Sequence, residues 1–389
     1  MHFASYSVSD LDTTDALEDL LDQAENFDGP IHFASVFFGP AHLGHADEIS
    51  RAIQHRLNPA VLIGNSSEFV LGGGREVEEV GGISLLIGHL PGVRVVPVRL
   101  DLEDIADKSF DADAVLDKLG ASLGPTRGIV GVAEPFSFRV GSLVDLVNDR
   151  MPGIPLLGGI ASAARAPGNN RLILDDQVFD GGFIGATFAG DVKIDALVSQ
   201  GCRPIWSPML VTRASGNAIA QLGGRPALKV LRELIEAMGD DKQQLGNGLM
   251  LGRAVSEYRE NFGVGDFLIR GILGVNEQHE AIGVGDRIRV GTTVQFHIRD
   301  AQTAHDDLIA HLELANKDGP VAGGLLFNCN GRGTRLFAEP GHDVEAIEQQ
   351  MPGTAVAGFF AAGELGPVGK KNYIHGHTAC MALFRPRDD

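Results

Sequence analysis

Cysteine is scarce: three in 389 residues, Cys202, Cys329 and Cys380, far apart and without a CxxC pair. That spacing excludes a disulfide scaffold and the common zinc motifs, and it suits a reduced, cytoplasmic compartment. Basic residues are few beside acidic ones, 32 Lys and Arg against 51 Asp and Glu, for a formal net charge of -19. Nucleic acids and anionic membranes are held by Lys and Arg, so neither is an expected partner. No apolar run approaches the roughly 20 residues that span a bilayer. Met1–Asp12 is polar and acidic, with no basic and apolar leader, so no secretory or transit peptide is expected. A GxGxxG between strand and helix, the P-loop pattern and a GxSxG elbow are all missing. The expectation is therefore a protein without a bound cofactor or metal, and not an ordinary enzyme.

Glycine, by contrast, is plentiful: 51 residues, set mostly between short apolar runs as turns. A hydrophobic share of 44% is enough for a sizeable core. Leu17, Leu20, Leu21 and Ala24 share one helical face, with Thr13 or Thr14 placed to cap it. Ile31–Phe38 reads as a buried strand, Ala46–Leu57 as a helix and Ala60–Ile63 as a further strand. Gly64–Gly74 is a small-residue loop, and Ile83–Ile87 and Val93–Leu100 look like a paired set of strands.

The same order returns twice. Gly128–Ala133, a helix at Ser142–Asn148 and a strand at Ile154–Leu157 form the second copy. Gly324–Phe327, a helix at Asp343–Gln350 and a strand at Thr354–Ala357 form the third, before a final strand at Thr378–Phe384. Both later helices leave through Met-Pro-Gly, at 151–153 and 351–353, where Pro stops the helix and Gly permits the turn. An internal duplication follows, with Ile31–Ile63, Gly128–Leu157 and Gly324–Ala357 as related units. A different stretch intervenes. Its opening helix turns Leu228, Leu231, Ile235 and Met238 to a core, and strands follow at Phe267–Val275 and Arg287–Ile298. The main boundary falls just before Arg225, giving domains 1–224 and 225–389. The fold expected is α/β, two pseudo-symmetric domains of mixed β-sheets flanked by helices.

Polar and special-backbone residues concentrate near the end of the chain. Asn328, Cys329, Asn330, Arg332, Glu364, Asn372, His375 and His377 lie on loops between strands of one expected sheet, the usual setting of a binding site. Arg332 can grip a carboxylate with both arms and Glu364 can take an amine, which suits a zwitterion such as an amino acid. The competing reading is an Arg332–Glu364 ion pair that ties loops together. Cys329 follows a strand and lies near Arg332. It is either a thiol of lowered pKa, with His375 or His377 as base, or a small buried side chain. His375 and His377, with Glu364 and Cys329, form a weak mixed metal pattern, and hydrogen-bonding roles fit them better.

Three stretches resemble the FIST module of F-box and intracellular signal transduction proteins. The first is Leu62–Glu68 with Gly72–Glu78. The second is Gly201–Ile205, Leu210–Ala214 and Gly224–Leu228. The third is Asn328–Gly333, Gly358–Pro367 and Asn372–Gly376. The likeness runs from about Ile31 to Phe384 and departs at Asn65 and Trp206. It implies an N-terminal and a C-terminal FIST domain and a stand-alone sensory module for a small polar ligand. A signalling protein is the other implied partner. A docking scaffold without a small ligand is the rival reading, and a Cys329-dependent enzyme a further one.

Overall fold

The computed structural model describes residues 1–105, 110–239, 245, 248–257, 262–263 and 265–387. It is α/β, with seven α-helices and 26 strands in mixed sheets among the described residues. The first repeat runs β1 (His2–Ser9), α1 (Thr13–Ala24), β2 (Phe33–Phe38), α2 (Ala46–Leu57), β3 (Leu62–Ser66), a hairpin of β4 (Val70–Gly72) and β5 (Arg75–Val77), and β6 (Gly82–His89). The second runs β7 (Val93–Leu100), α3 (Ala112–Lys118), β8 (Thr126–Ala133), α4 (Val140–Arg150), β9 (Leu156–Ile160), a hairpin of β10 (Leu172–Leu174) and β11 (Gln177–Phe179), and β12 (Phe183–Gly190).

The third repeat begins with β13 (Val192–Gln200) and is then interrupted. The interruption holds β14 (Cys202–Pro204), β15 (Met209–Ser215), β16 (Ala218–Leu222), β17 (Arg225–Pro226), α5 (Ala227–Ala237), β18 (Leu249–Ala254), β19 (Phe267–Asn276), β20 (Ala281–Val284) and β21 (Thr293–Arg299). The repeat resumes with α6 (Ala301–Lys317), β22 (Gly323–Cys329), α7 (His342–Gln350), β23 (Val356–Ala361), a hairpin of β24 (Glu364–Val368) and β25 (Lys371–His375), and β26 (Thr378–Pro386).

The chain forms two compact units. One holds residues 1–198, 308–374 and 378–389, the other 199–307 and 375–377. The internal likeness expected from the sequence lies within the first unit and has three members. Its sheets are ordered β1-β6-β2-β3-β10-β11, β7-β12-β8-β9-β24-β25 and β13-β26-β22-β23-β4-β5. In each, the central pair β2/β3, β8/β9 or β22/β23 is parallel and is joined by a crossover helix. The last two strands of each sheet are a hairpin lent by another repeat, so the three sheets are tied in a cycle.

Alternation along β2 explains the layering. Phe33 and Phe37 enter a core shared by all three sheets, while Ala34, Val36 and Phe38 pack under α1 and α2. The outer faces of the other two sheets are covered in the same way, by α3 with α4 and by α6 with α7. Strands buried on both faces read as unbroken apolar runs, which is why Ile31–Phe38 was legible as a strand.

Three local readings are corrected. Asp12, not a threonine, caps α1, accepting from the backbone N–H groups of Thr14 and Asp15; Thr13 is buried, its hydroxyl 2.9 Å from His42 Nδ1. The strands at Ile83–Ile87 and Val93–Leu100 do not pair. Both edges of β6 are already taken by β1 and β2, so β7 starts the next sheet against β12. The stretch read as a small-residue loop contains β4, which pairs with β23.

Registers align the repeats residue by residue. Val36 faces Gly64 and Leu85, Gly131 faces Gly158 and Gly185, and Leu326 faces Gly358 and Met381. Glycine recurs at one point of each second parallel strand for a steric reason. A Cβ added at Gly64, Gly158 or Gly358 would lie 2.5, 1.8 or 1.8 Å from the backbone oxygen of Val36, Gly131 or Leu326. Gly358→Ala is expected to cost about 3 kcal/mol or more, since backbone rather than a side-chain tip must yield. Urea unfolding measures it, and a loss near zero would refute the steric account.

In the second unit β15, β16, β20, β19, β18 and β21 close on themselves, because β21 pairs with both β15 and β18. Its core gathers Val211, Ile219, Leu251 and Phe296 with Leu228, Leu231 and Leu234 of α5.

Candidate functional site

The aligned repeats differ most at the carboxyl ends of their parallel strands. Asn328 stands where the other repeats have Phe38 and Ala133, and Cys329 follows where they have Gly39 and Glu134. Thr378 replaces Gly82 and Gly182, and Cys380 replaces Ser84 and Ile184. Glu364 takes the place of Val70 and Leu172, both fully buried members of the shared core. The first two repeats fill these points with apolar or small residues apart from the buried Glu134, whose carboxylate is held by the Phe136 and Ser137 N–H groups and by Asn170; the third fills them with a thiol, a carboxyl, an amide and a hydroxyl.

Glu364 is 0% exposed. Its Oε2 accepts from the Thr378 backbone N–H at 3.1 Å and the Thr378 hydroxyl at 2.6 Å, and its Oε1 has no partner among the described residues. Burial pushes its pKa up to about 8, against the opposing pull of Thr378, Arg332 and a hydrogen bond from Cys329. Cys380 is buried too, and burial raises its thiol pKa well above the ordinary value. An unpaired buried carboxyl oxygen is costly and uncommon in a core.

Arg332 is 1% exposed and folds back through a turn, its N–H donating to the Cys329 carbonyl at 2.8 Å. The sequence left open a pair between Arg332 and Glu364. Instead the guanidinium fork holds Asp343, Nε to Oδ2 and Nη2 to Oδ1, both at 2.7 Å. Asp343 sits in the first turn of α7, directly above the turn that carries Arg332. It also accepts from Asn328 Nδ2 and is bonded by His342. The adjacent guanidinium holds its carboxyl well below the usual range despite burial. Arg332 Nη1 remains without a partner among the described residues.

The first repeat's hairpin pins the loop that carries Arg332. Glu76 Oε1 accepts from the Asp343 and Val344 N–H groups at 2.9 and 3.2 Å, which satisfies the open end of α7. Its pKa is pushed up to about 8, first by burial and then by the Asp343 charge. Glu78 accepts from the Thr334 N–H and hydroxyl, and Glu68 receives both arms of Arg335.

Of the residues expected at the site, Asn328, Cys329, Arg332 and Glu364 gather in the first unit. Asn330 borders them: its N–H donates to Ala361 and its carbonyl accepts from Arg335. Asn372 lies apart. Its side chain bonds Leu156 N–H and the Ile154 carbonyl, and Asn148 brackets its backbone, so it ties the edge strand β25 to the start of β9 and to α4. His375 and His377 group with the second unit. His377 is held at φ +64°, and burial with the nearby charges of Arg299 and Arg270 drops its pKa to about 4. Among the described residues no set of three or more His, Cys, Asp and Glu could hold a metal ion.

Asp343, Glu76, Thr378 and Cys380 were not singled out from the sequence. Aligning the repeats would have found Thr378, as the one non-glycine at its point. Asp343 and Glu76 left no signal beyond a helix start and a charged turn.

A thiol, a carboxyl and a guanidinium are buried at the carboxyl end of the parallel pair β22/β23, the end at which open α/β sheets generally bind ligands. The class is thus an α/β protein of three repeated units with one differentiated strand end. The chain belongs to the FIST family: the FIST N domain matches residues 32–225 and the FIST C domain residues 227–367. FIST domains are associated with sensing in signal transduction. An uncharacterized protein of Mycobacterium tuberculosis is 39% identical over 347 residues, 88% of this chain and 88% of its own length. Another, from Mycobacterium bovis, is 36% identical over the same span and shares. No helix among the described residues is long and apolar enough to cross a membrane.

Proposed function

We propose that this chain is a cytoplasmic sensory module that binds a small polar ligand carrying a carboxylate, an amino acid being the first choice. The observation that carries the reading is Glu364 at a point where Val70 and Leu172 fill the core. A fold that accommodates an apolar side chain there twice has no packing reason for a carboxyl. Arg332 Nη1 offers an N–H to a carboxylate, and Glu364 Oε1 serves either a ligand ammonium or, when protonated, a ligand oxygen. Both groups are closed to solvent, so the ligand enters as the surrounding loops part. Its signal is carried to a protein partner by the ordering of those loops.

A thermal-shift screen tests this with amino acids and with analogues lacking either the amine or the carboxylate. A ligand at about 100 times its Kd stabilises by about 3 kcal/mol, a rise of several degrees. Removing the carboxylate is expected to abolish the shift. Equal shifts from an amino acid and its decarboxylated amine would overturn the reading.

A further inference from the structure

At the opposite end of the first unit, the amino ends of its parallel strands border a cavity of about 650 Å³. Its lining carries four cations, Arg127, Lys193, Arg385 and Arg387, against two acids, Asp195 and Asp318. In a chain of formal charge -19, this local excess of positive charge runs against the rest of the molecule. We infer that this cavity binds a small phosphorylated organic molecule of about nucleotide size.

The four cations are not equally committed. Arg385 is almost wholly buried and fixed, its Nε on Asp195 at 2.7 Å, its Nη2 on the Ala315 carbonyl at 2.7 Å and its Nη1 on the Gly319 carbonyl. His89 and Ala189 stand at the matching points of the other repeats, so this anchor belongs to the third repeat alone. Lys193 shares Asp195 at 3.0 Å. Arg127 gives its Nε to the Gly190 carbonyl at 3.3 Å and has no carboxylate partner among the described residues; nor has Arg387. Among the described residues, two guanidinium groups thus stand without a carboxylate beside a wall that Arg385 and Asp195 hold rigid. Guanidinium forks match phosphate oxygens in pairs, and a net lining charge of two matches a phosphate dianion. The size and the remaining surface decide against inorganic phosphate as the whole ligand. The volume lies in the range of small-molecule sites, and Pro155, Ile194 and Pro320 supply an apolar wall for an organic body.

The test is differential scanning fluorimetry of the full chain with ADP and with inorganic phosphate as probes, at low and at high salt. ADP is expected to raise Tm in the millimolar range or below, phosphate to act more weakly, and salt to reduce both effects. Arg127→Gln with Arg387→Gln is expected to weaken ADP about tenfold or more, and Lys193→Gln less so. These side chains are at least partly exposed, and circular dichroism checks that the variants fold. Three results would each overturn the inference: no shift with ADP, the same shift in the double variant, or a shift with phosphate alone.

Discussion

Arg332→Ala is expected to destabilise the protein by roughly 3–5 kcal/mol at neutral pH, because it strands a buried carboxylate. Asp343 is 0% exposed, and its two oxygens receive the arms of Arg332 at 2.7 Å. Removing the guanidinium leaves only Asn328, His342 and the start of α7 to hold that charge. The sign of the pH dependence follows from the lowered Asp343 pKa. The stability from the pair is fully present above the unfolded value of 3.8 and is lost as pH falls through the folded value. The gap between wild type and variant is therefore widest at neutral pH and closes in acid. Removing both charges with Arg332→Met and Asp343→Leu is expected to recover most of the loss, since the pair's own net worth is small once desolvation is counted. Urea unfolding at pH 7 and at about pH 2, below the unfolded value, measures all three proteins. A loss under about 1 kcal/mol for Arg332→Ala would show that water reaches the site and that the pair is not a closed one.

Glu364→Leu is expected to make the protein more stable while ending ligand binding. Leucine is what the second repeat carries at this point, as Leu172, in the shared core. Burial raises the folded pKa of Glu364 to about 8 from its ordinary value of 4.5. A raised carboxyl pKa costs stability progressively as pH climbs from the unfolded value to the folded one, and the cost is complete above the folded value. The carboxyl therefore costs under about 1 kcal/mol at pH 5 and about 4 kcal/mol at pH 8, from which the lost Thr378 hydrogen bonds subtract about 1. The variant should gain about 3 kcal/mol at pH 8 and show no gain at pH 5. Thermal shift with the amino acid that stabilises wild type supplies the second readout, expected to be zero. A variant that is less stable at pH 8 would place Glu364 among structural hydrogen bonders. A variant that binds as well as wild type would remove it from the site.

How far the site was legible depends on where each partner came from. Asn328, Cys329, Arg332 and Glu364, which the fold brings together, stood out in the sequence because each is polar or charged beside a run of glycines and apolar residues. Asn372 had the same local look, yet its amide serves β9 and Asn148. Nothing within a few residues of Asn372 distinguishes it from Asn328, because the difference lies in which sheet each side chain reaches. The strand at His2–Ser9 was missed because its serines made the segment read as polar, although Ala4, Tyr6 and Val8 alternate with Ser5, Ser7 and Ser9 as a half-buried edge strand requires.

The sequence by itself determined the local units. The spacing of Leu17, Leu20 and Leu21 makes a helix with one buried face, and continuous apolar runs make strands covered on both sides. Pro and Gly at 152–153 and 352–353 end helices where backbone geometry requires it. These are short-range effects, so they repeat wherever the residues repeat. Only the tertiary structure decided that each hairpin crosses to a sheet built by another repeat, bringing Glu76 to the start of α7 from 267 residues away. That choice depends on which sheet edges remain open once the parallel pairs have formed, and no local pattern encodes it. The pairing of Arg332 with Asp343, and the closing of Glu364 into an apolar core, follow from that long-range assembly.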